Sequence, residues 1–340
     1  MKKVIFDKKN IIVFGGAGFL GSHLCEQLIK DSKVICVDNF STGTVENIRM
    51  LMQHENFRFI RHDISQPLDL ATIADLADFK IEWQGIQEIY NLACPTSAKN
   101  FDKMVIDTLD ANSLGIKNVL ELGKKHEAKL LHLSSAVVYG PRQDDKYKFL
   151  ETDKGVVDFT SPRSCYDEGK RFAETMCITY RDHFNLPIKI ARTFRTYGPK
   201  MLLNDGQMIP DFIVNALDNI DLVIYGDENF TTTLLHVSDC VDGLIKIMES
   251  NKNEIFNIGS DVDYRLSEVA QKIIDLTASK SKIVYKEPLI FMTALVRPDV
   301  EKAKKLLGWF PVTNLDMGLE STVEYAKANK RLLKNETEFS

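Results

Sequence analysis

The segment IIVFGGAGFLG, residues Ile11 to Gly21, decides the fold. A short apolar run comes first, glycines with G-x-x-G-x-x-G spacing follow, and residues 22–30 then have a helical pattern. Strand, glycine turn and helix in this order are the context of a dinucleotide-binding fingerprint. We expect Gly15 to turn the chain sharply, Gly18 to let the backbone approach a pyrophosphate, and Gly21 to let the helix pack closely. The pyrophosphate would lie over the helix N-terminus, where free N–H groups point at it.

A second apolar strand, Val34–Val37, ends at Asp38, and this acid indicates the nucleotide. A carboxylate here accepts hydrogen bonds from both ribose hydroxyls of NAD and repels the 2′-phosphate of NADP. A plain turn residue is the alternative role for Asp38. Asp63 follows a third predicted strand at Phe57–Ile60, and we expect it to accept from the adenine amino group.

Apolar runs alternate with helical patterns through the first half of the chain. Further strands are predicted at Ile86–Leu92, Lys129–Leu133 and Ile188–Ala191, with a helix over Asp102–Lys125. This alternation indicates an α/β protein with a Rossmann-type doubly wound parallel sheet and helices on both faces. Such sheets bind ligands at the carboxyl ends of their strands, where the glycine loop and Asp38 fall.

The pattern changes after residue 198 to shorter elements without a second glycine fingerprint. Among them are a predicted strand at Phe256–Gly259, a helix over Asp239–Met248 capped by Ser238, and a final amphipathic helix over Leu315–Ala328. We therefore expect an NAD-binding domain over residues 8–195 and a smaller α/β lobe that binds substrate over 196–330. A flexible tail is expected over 331–340.

Composition argues against several classes of partner. The 340-residue chain has a net charge of −5 and no long basic run, so neither nucleic acid nor an anionic membrane is expected. No apolar stretch approaches the roughly 20 residues of a membrane helix, and no secretory signal is recognisable. Six scattered cysteines without a C-x-x-C pair favour a reducing cytoplasm and predict neither disulfides nor a metal site.

Tyr166 and Lys170 are four residues apart, which places them on one face of a helix. A tyrosine has an ordinary pKa of about 10, and a neighbouring ammonium with a nicotinamide cation is expected to lower it. Tyr166 would then act as a general base at a sugar or alcohol hydroxyl. An ordinary surface pair is the alternative. Ser135, at the end of a predicted strand, is a third candidate, although such serines also cap turns.

Several motifs in this chain resemble those of the extended short-chain dehydrogenase/reductases that modify nucleotide sugars. The resemblance spans about residues 8–325 and is closest to UDP-glucuronate decarboxylases, because of the Ala-Cys-Pro and Cys-Tyr-Asp-Glu-Gly-Lys-Arg runs. The motifs are Gly15–Gly21, Asp38–Gly43, Asn91–Ser97, Cys165–Arg171, Tyr197–Met201 and Arg297–Asp299.

The resemblance implies a shared first step. Tyr166 takes the proton of the sugar C4 hydroxyl, Ser135 is hydrogen-bonded to that oxygen, and the C4 hydride passes to NAD⁺. Lys170 holds the nicotinamide ribose. The expected NAD contacts are Gly15, Ala17, Gly18, Phe19, Leu20, Asp38, Asn39, Ser41, Thr42, Asp63, Ile64, Leu92, Ala93, Cys94, Ser134, Tyr166, Lys170 and Thr193. The expected substrate contacts are Pro95, Ser135, Val137, Arg195, Lys200, Met201, Gln207, Met208, Thr232 and Arg297.

The chain departs from this pattern beside the catalytic tyrosine. Val137 stands where similar decarboxylases carry a glutamate, and Ala136 with Val137 stands where dehydratases carry an acid pair. Val296 replaces an arginine that can serve the substrate carboxylate. These changes argue against 4,6-dehydration and weaken the case for decarboxylation, whereas a 4-epimerase needs only the tyrosine, the serine and room for the keto sugar to rotate.

Two further departures concern the diphosphate. Arg195 replaces an asparagine of the relatives, and Thr232 replaces a phosphate-binding arginine. Our hypothesis is that Arg195 binds the diphosphate in place of the arginine that Thr232 replaces. A structural ion pair is the alternative for Arg195, and the identity of the nucleotide base stays open.

The sequence thus predicts an NAD-dependent 4-epimerase, or a 4-dehydrogenase that yields a 4-keto sugar, in sugar-nucleotide biosynthesis for surface polysaccharide. UDP-glucuronate decarboxylase is the alternative, and a non-catalytic NAD sensor is a remote one. By analogy with the family, helix 102–125 and the helix from Tyr166 to about Asp182 would form a homodimer interface.

Overall fold

The fold is known from a computed structural model, which describes residues 8–96, 103–142, 148–203, 206–287 and 296–333. The strands are β1 (Lys9–Phe14), β2 (Ser32–Asp38), β3 (Phe57–Arg61), β4 (Glu88–Asn91), β5 (Lys129–Ser135), β6 (Lys148–Phe149), β7 (Ile188–Thr193), β8 (Thr196–Tyr197), β9 (Leu222–Tyr225), β10 (Thr231–Thr233), β11 (Leu235–His236), β12 (Ile255–Ile258), β13 (Asp263–Arg265), β14 (Ile283–Lys286) and β15 (Arg297–Pro298). The α-helices are α1 (Phe19–Leu28), α2 (Val45–Ile48), α3 (Ile81–Gln84), α4 (Val105–Asp110), α5 (Ile116–His126), α6 (Ser164–Phe184), α7 (Met208–Leu217), α8 (Val237–Glu249), α9 (Leu266–Thr277), α10 (Glu301–Leu307) and α11 (Leu315–Leu333).

A seven-stranded parallel sheet forms the centre, in the spatial order β12-β7-β5-β4-β1-β2-β3. Successive residues of β1 enter two different cores, with Ile11 and Val13 on one face and Ile12 and Phe14 on the other. Helices α1 and α8 cover the first face, and α5 and α6 cover the second. Burial of both faces explains the continuous apolar runs of the strands, and the predicted doubly wound sheet is confirmed.

Strand β12 corrects the sequence analysis, which assigned this segment to the substrate lobe. It pairs in parallel with β7 and forms one edge of the central sheet. The chain therefore leaves the sheet after β7, builds much of the lobe, and returns. A four-residue apolar run carries no sign of its partner strand, so the pattern alone could not place it.

Two helix boundaries also differ from the predicted ones. Helix α1 begins at Phe19 rather than Ser22, because Gly18 is extended and acts as its N-cap. The helix predicted over 102–125 consists of α4, a π-helical turn at Ala111–Gly115 and α5, and its predicted first residue lies outside the described residues. Two leucines of this segment, Leu109 and Leu114, are exposed.

The smaller lobe has its own apolar core. Helices α7, α9 and α11 pack together there with β9 and β14, which pair in parallel. Helix α8 begins at Val237 and is capped by the His236 ring, not by Ser238, so this histidine has a structural role. Helix α11 continues to Leu333, so it includes the first residues of the expected tail; residues 334–340 lie outside the description. Within the described ranges, no helix combines the length and apolarity required to cross a bilayer.

Candidate active site

A cavity of about 360 Å³ opens at the carboxyl ends of the central strands, between the sheet and the smaller lobe. It brings together most residues expected from the sequence to contact NAD. Those that line it are Gly15, Gly18, Phe19, Leu20, Asp38, Asn39, Ser41, Thr42, Asp63, Ile64, Leu92, Ala93, Cys94, Ser134, Tyr166, Lys170 and Thr193. The remaining one, Ala17, donates its backbone N–H to Asp38 Oδ2 at 3.0 Å.

The glycine loop fits a dinucleotide for steric reasons. Gly15 has φ +74°, and a Cβ there would lie 2.8 Å from the backbone nitrogen of Ala93. A Cβ on Gly21 would overlap the carbonyl oxygen of Gly15, so the first turn of α1 lies directly against the loop. Because α1 begins here and its first residues line the cavity, its free N–H groups are available to a pyrophosphate, and this contact stays a prediction.

Asp38 closes the loop from the end of β2. Its two carboxylate oxygens accept from the backbone nitrogens of Ala17 and Phe40, at 3.0 and 2.8 Å. Each oxygen keeps a second lone pair that a ribose hydroxyl can use. Burial raises the pKa of Asp38. The more exposed Asp63 accepts from Asn39 Nδ2 at 3.0 Å and from the Ser65 backbone at 2.8 Å.

Tyr166, Ser135 and Lys170 meet at the end of β5. The Tyr166 hydroxyl shares a hydrogen bond with Ser135, and Lys170 Nζ donates to the carbonyl oxygen of Leu133 at 2.9 Å. Both the tyrosine and the lysine are buried, so an ordinary surface pair is excluded. Ser135 also accepts from the backbone N–H of Val137 at 3.4 Å, and thereby caps the turn that follows β5.

The pKa of Tyr166 differs from the sequence expectation. The protein raises this pKa, first because the phenol is buried and then because of the Cys94 thiol nearby. The Ser135 hydrogen bond and the Arg163 charge act in the opposite direction but do not outweigh burial. The expected lowering therefore requires the positive nicotinamide ring in addition to the protein's own groups.

A buried polar network that sequence reasoning missed supports this strand end. Glu174 accepts from Ser134 Oγ at 2.6 Å and from the Arg192 guanidinium at 2.9 and 2.7 Å. Arg192 also donates to the Tyr139 hydroxyl at 2.9 Å, which in turn donates to Asn257 at 2.7 Å. The spacing of residues 166, 170 and 174 on one face of α6 is the signal that would have revealed Glu174.

The residues that replace the acids of similar enzymes lie in apolar surroundings. Val137 is buried and packs with Cys165 and Tyr166, so the phenol ring has an apolar neighbour. Val296 is buried in a separate cluster with Phe149 and Phe194. Neither position can exchange a proton with a substrate.

The expected substrate contacts divide into two groups. Those that line the cavity are Pro95, Ser135, Arg195, Lys200, Met201 and Gln207. Val137, Met208, Thr232 and Arg297 do not line it: Met208 packs against the core of the smaller lobe, Thr232 accepts from Arg195, and Arg297 pairs with Asp263 at 3.4 Å. Lys200 Nζ donates hydrogen bonds to the Glu26 carboxylate and to the backbone carbonyl oxygen of Asn47. All these substrate contacts stay predictions.

Some cavity residues were not anticipated from the sequence. They are polar side chains on short elements and loops whose positions depend on tertiary packing, and include Asn47, His62, Asp107, Asp110 and Thr196. Arg163, at the start of α6, was also missed, although its position three residues before Tyr166 places it one helical turn away.

Comparison with known proteins agrees with this geometry. The profile of the GDP-mannose 4,6-dehydratase family matches residues 12–322. UDP-glucuronic acid decarboxylase 1 of Danio rerio is 39% identical over 325 residues, which cover 94% of this chain and 73% of that protein.

Solved structures show the same fold. The UDP-glucuronic acid 4-epimerase of Bacillus cereus, in complex with UDP-glucuronic acid and NAD, superposes with a TM-score of 0.81 at 27% identity, covering 94% of this chain and 99% of that one. The dTDP-glucose 4,6-dehydratase of Bacillus anthracis, in complex with NAD, superposes with a TM-score of 0.81 at 26% identity. The superposition covers 96% of this chain and 100% of that one. The chain is therefore an NAD-dependent member of the GDP-mannose 4,6-dehydratase family of extended short-chain dehydrogenase/reductases, close to the UDP-glucuronic acid decarboxylases and the nucleotide-sugar epimerases.

Proposed function

We propose that this protein oxidises C4 of a nucleotide-activated uronic acid and then releases the carboxyl group as CO₂. The observation that carries the proposal is the buried Tyr166, hydrogen-bonded to Ser135 and one turn from Lys170 inside the cavity. The kinship with UDP-glucuronic acid decarboxylases supports the choice of substrate and outcome.

Three side chains of the protein transfer the proton or position the reactants. NAD⁺, when bound, supplies the hydride acceptor. Tyr166 removes the proton of the C4 hydroxyl, and Ser135 holds the same oxygen by a hydrogen bond. Lys170 is expected to bind the nicotinamide ribose and to favour the phenolate through its positive charge.

The 4-keto acid can then lose its carboxyl group. As the bond from C5 to the carboxyl carbon breaks, its electron pair moves toward the C4 oxygen, where Tyr166 and Ser135 stabilise the enolate. C5 takes up a proton, and return of the hydride to C4 with the Tyr166 proton completes the cycle. The net change is loss of CO₂ and gain of one proton. Val137 cannot supply that proton, so water or another side chain must do so.

A 4-epimerase is the second candidate, and the apolar Ala136–Val137 pair favours it. An epimerase needs no acid at C5, because its keto sugar only rotates and takes the hydride back on the other face. A 4-dehydrogenase would release the keto sugar instead and would need a second substrate to reoxidise NADH.

The test is to incubate the protein with NAD⁺ and a panel of UDP-, GDP-, CDP- and dTDP-activated sugars, uronic acids included, and to follow product masses. Loss of CO₂ from a uronic acid supports the proposal. An isomer of unchanged mass indicates the epimerase, and loss of two hydrogen atoms indicates the dehydrogenase.

Substitution of Tyr166 separates an enzyme from a non-catalytic NAD sensor. Tyr166→Phe is expected to lower turnover by about 10²- to 10⁴-fold while NAD stays bound, because only the proton-transferring oxygen is removed. Tyr180→Phe, in the same helix but outside the cavity lining, removes a hydroxyl that donates to Glu121 at 2.7 Å; it is the matched control and should keep full turnover. Absence of turnover in the wild-type protein with every sugar of the panel would favour the sensor.

A further inference from the structure

Two arginines lie close together beside the catalytic tyrosine. Arg195 lines the cavity just beyond β7, and its Nη1 donates to Thr232 Oγ1 at 3.1 Å. Arg163 begins the turn that leads into α6, and its charge acts on both Arg195 and Tyr166.

The charges around this pair do not balance. Arg163 is paired with Asp167 at 3.5 Å. No carboxylate of the described residues lies within 4.0 Å of the Arg195 guanidinium, so the alternative of a structural ion pair finds no support there. Burial lowers the pKa of Arg195 to about 10, and the charge of Arg163 acts in the same direction. A half-buried cation without a counter-charge among the described residues is costly, and an anionic ligand would relieve that cost.

The position of Arg195 in the chain places it near the end of the cavity where the sugar C4 hydroxyl is expected to bind. Thr193, the last residue of β7, is paired with Ser135 in the sheet, and Arg195 follows two residues later. The cationic region therefore lies near the oxygens that hold the C4 hydroxyl. The carboxylate of a uronic acid is attached to C5, the neighbouring carbon, whereas the diphosphate is attached to C1 across the ring.

We propose that Arg195 binds the C5 carboxylate of a nucleotide-activated uronic acid and makes the protein selective for uronic acids over neutral hexoses. The planar guanidinium offers two parallel N–H donors to the two carboxylate oxygens. Arg163 adds positive charge to the same region. This assignment rests on the proposed function, and it gives Arg195 the role of the arginine that Val296 replaces.

The experiment measures binding of UDP-glucuronic acid, UDP-glucose and UDP to the NAD-loaded protein by calorimetry. The wild type should bind UDP-glucuronic acid at least about tenfold more tightly than UDP-glucose. Arg195→Met should weaken the binding of UDP-glucuronic acid by about 10- to 100-fold. It should change the affinity for UDP-glucose and for UDP by less than about threefold. Arg195→Lys should give an intermediate loss, because it keeps the charge without the planar fork.

Arg181→Met, at the far end of α6, removes the same charge and should leave all three affinities unchanged. Equal loss of affinity for all three ligands in Arg195→Met would show that Arg195 serves the diphosphate, and would overturn the assignment. A wild-type protein that binds the uronic acid and the hexose equally well would also overturn it. A wild-type protein that binds none of these three ligands, and none of the GDP-, CDP- and dTDP-activated sugars of the panel, would contradict the proposed function itself.

Discussion

At the scale of single residues, the phenol of Tyr166 stays protonated when only the protein surrounds it, so it is not available as a base. Burial and the Cys94 thiol hold its pKa above the ordinary value, against the Ser135 hydrogen bond and the Arg163 charge. The cofactor would therefore do more than accept a hydride: its positive ring would also make the base available. A reduced, neutral ring would favour the protonated phenol that is needed to return a proton.

This coupling predicts a spectroscopic result. Saturation with NAD⁺ should lower the pKa of Tyr166, because the nicotinamide cation stabilises the phenolate, whereas NADH should not. The measurement is a pH titration of near-ultraviolet tyrosinate absorbance, with the Tyr166→Phe curve subtracted. Identical curves with NAD⁺ and NADH would contradict the coupling.

At the scale of elements, one face of α6 organises the site. Tyr166 and Lys170 were predictable from their spacing, since both belong to the same helical stripe. Their burial and the contact of Lys170 with Leu133 were not, because these depend on how α6 lies against β5. The glycine loop was predictable for a steric reason: at Gly15 a side chain would collide with Ala93.

The Glu174 contact is expected to stabilise the end of β5 strongly. Glu174→Ala leaves the Arg192 guanidinium buried without its carboxylate and should lower the free energy of unfolding by about 3 to 5 kcal/mol. Denaturant unfolding followed by circular dichroism measures the change. Glu168→Ala is the matched control, because Glu168 pairs with Arg171 at the half-exposed surface and should cost less than about 1 kcal/mol. Equal effects of the two substitutions would contradict the role of the buried pair.

At the scale of the whole molecule, the central sheet followed from apolar runs separated by helices, but the path of the chain did not. Strand β12 joins the sheet from the C-terminal half, so the sheet is not confined to residues 8–195. The assignment of NAD binding to residues 8–195 and of substrate binding to residues 196–330 stays a prediction. The homodimer is likewise a proposal, which exposed apolar side chains on α4 and α6, such as Ile106 and Phe172, support. A cytoplasmic location stays an expectation from cysteine usage alone.

The stability of the whole fold should depend on pH through His132. This ring is buried in β5, and its pKa lies well below the ordinary value, first because of burial and then because of the Lys170 charge. The unfolded chain takes up this proton below a pH of about 6.5, while the folded chain does not. The contribution of the neutral His132 ring to the free energy of unfolding is therefore fully present above that pH. It is lost as the pH falls, by at most about 1.4 kcal/mol per pH unit.

Denaturant unfolding at pH 7.5 and 5.5 measures this loss. His132→Gln should reduce the pH dependence by about 1 kcal/mol, because no imidazole then takes up a proton on unfolding. His183→Gln, at an exposed site, should keep the wild-type dependence. A His132→Gln protein with an unchanged pH dependence would contradict the assignment.

The return of the chain to the sheet through β12 has a consequence for truncated forms. A fragment that ends at residue 195 would present the backbone N–H and C=O groups of β7 along an open margin, as a template for any other chain. We expect such a fragment to aggregate rather than persist as an isolated nucleotide-binding unit, and analytical ultracentrifugation beside the full-length protein would detect it. The chain also continues from β12 into α9 and α11 of the smaller lobe, so no single cut separates the central sheet from that lobe.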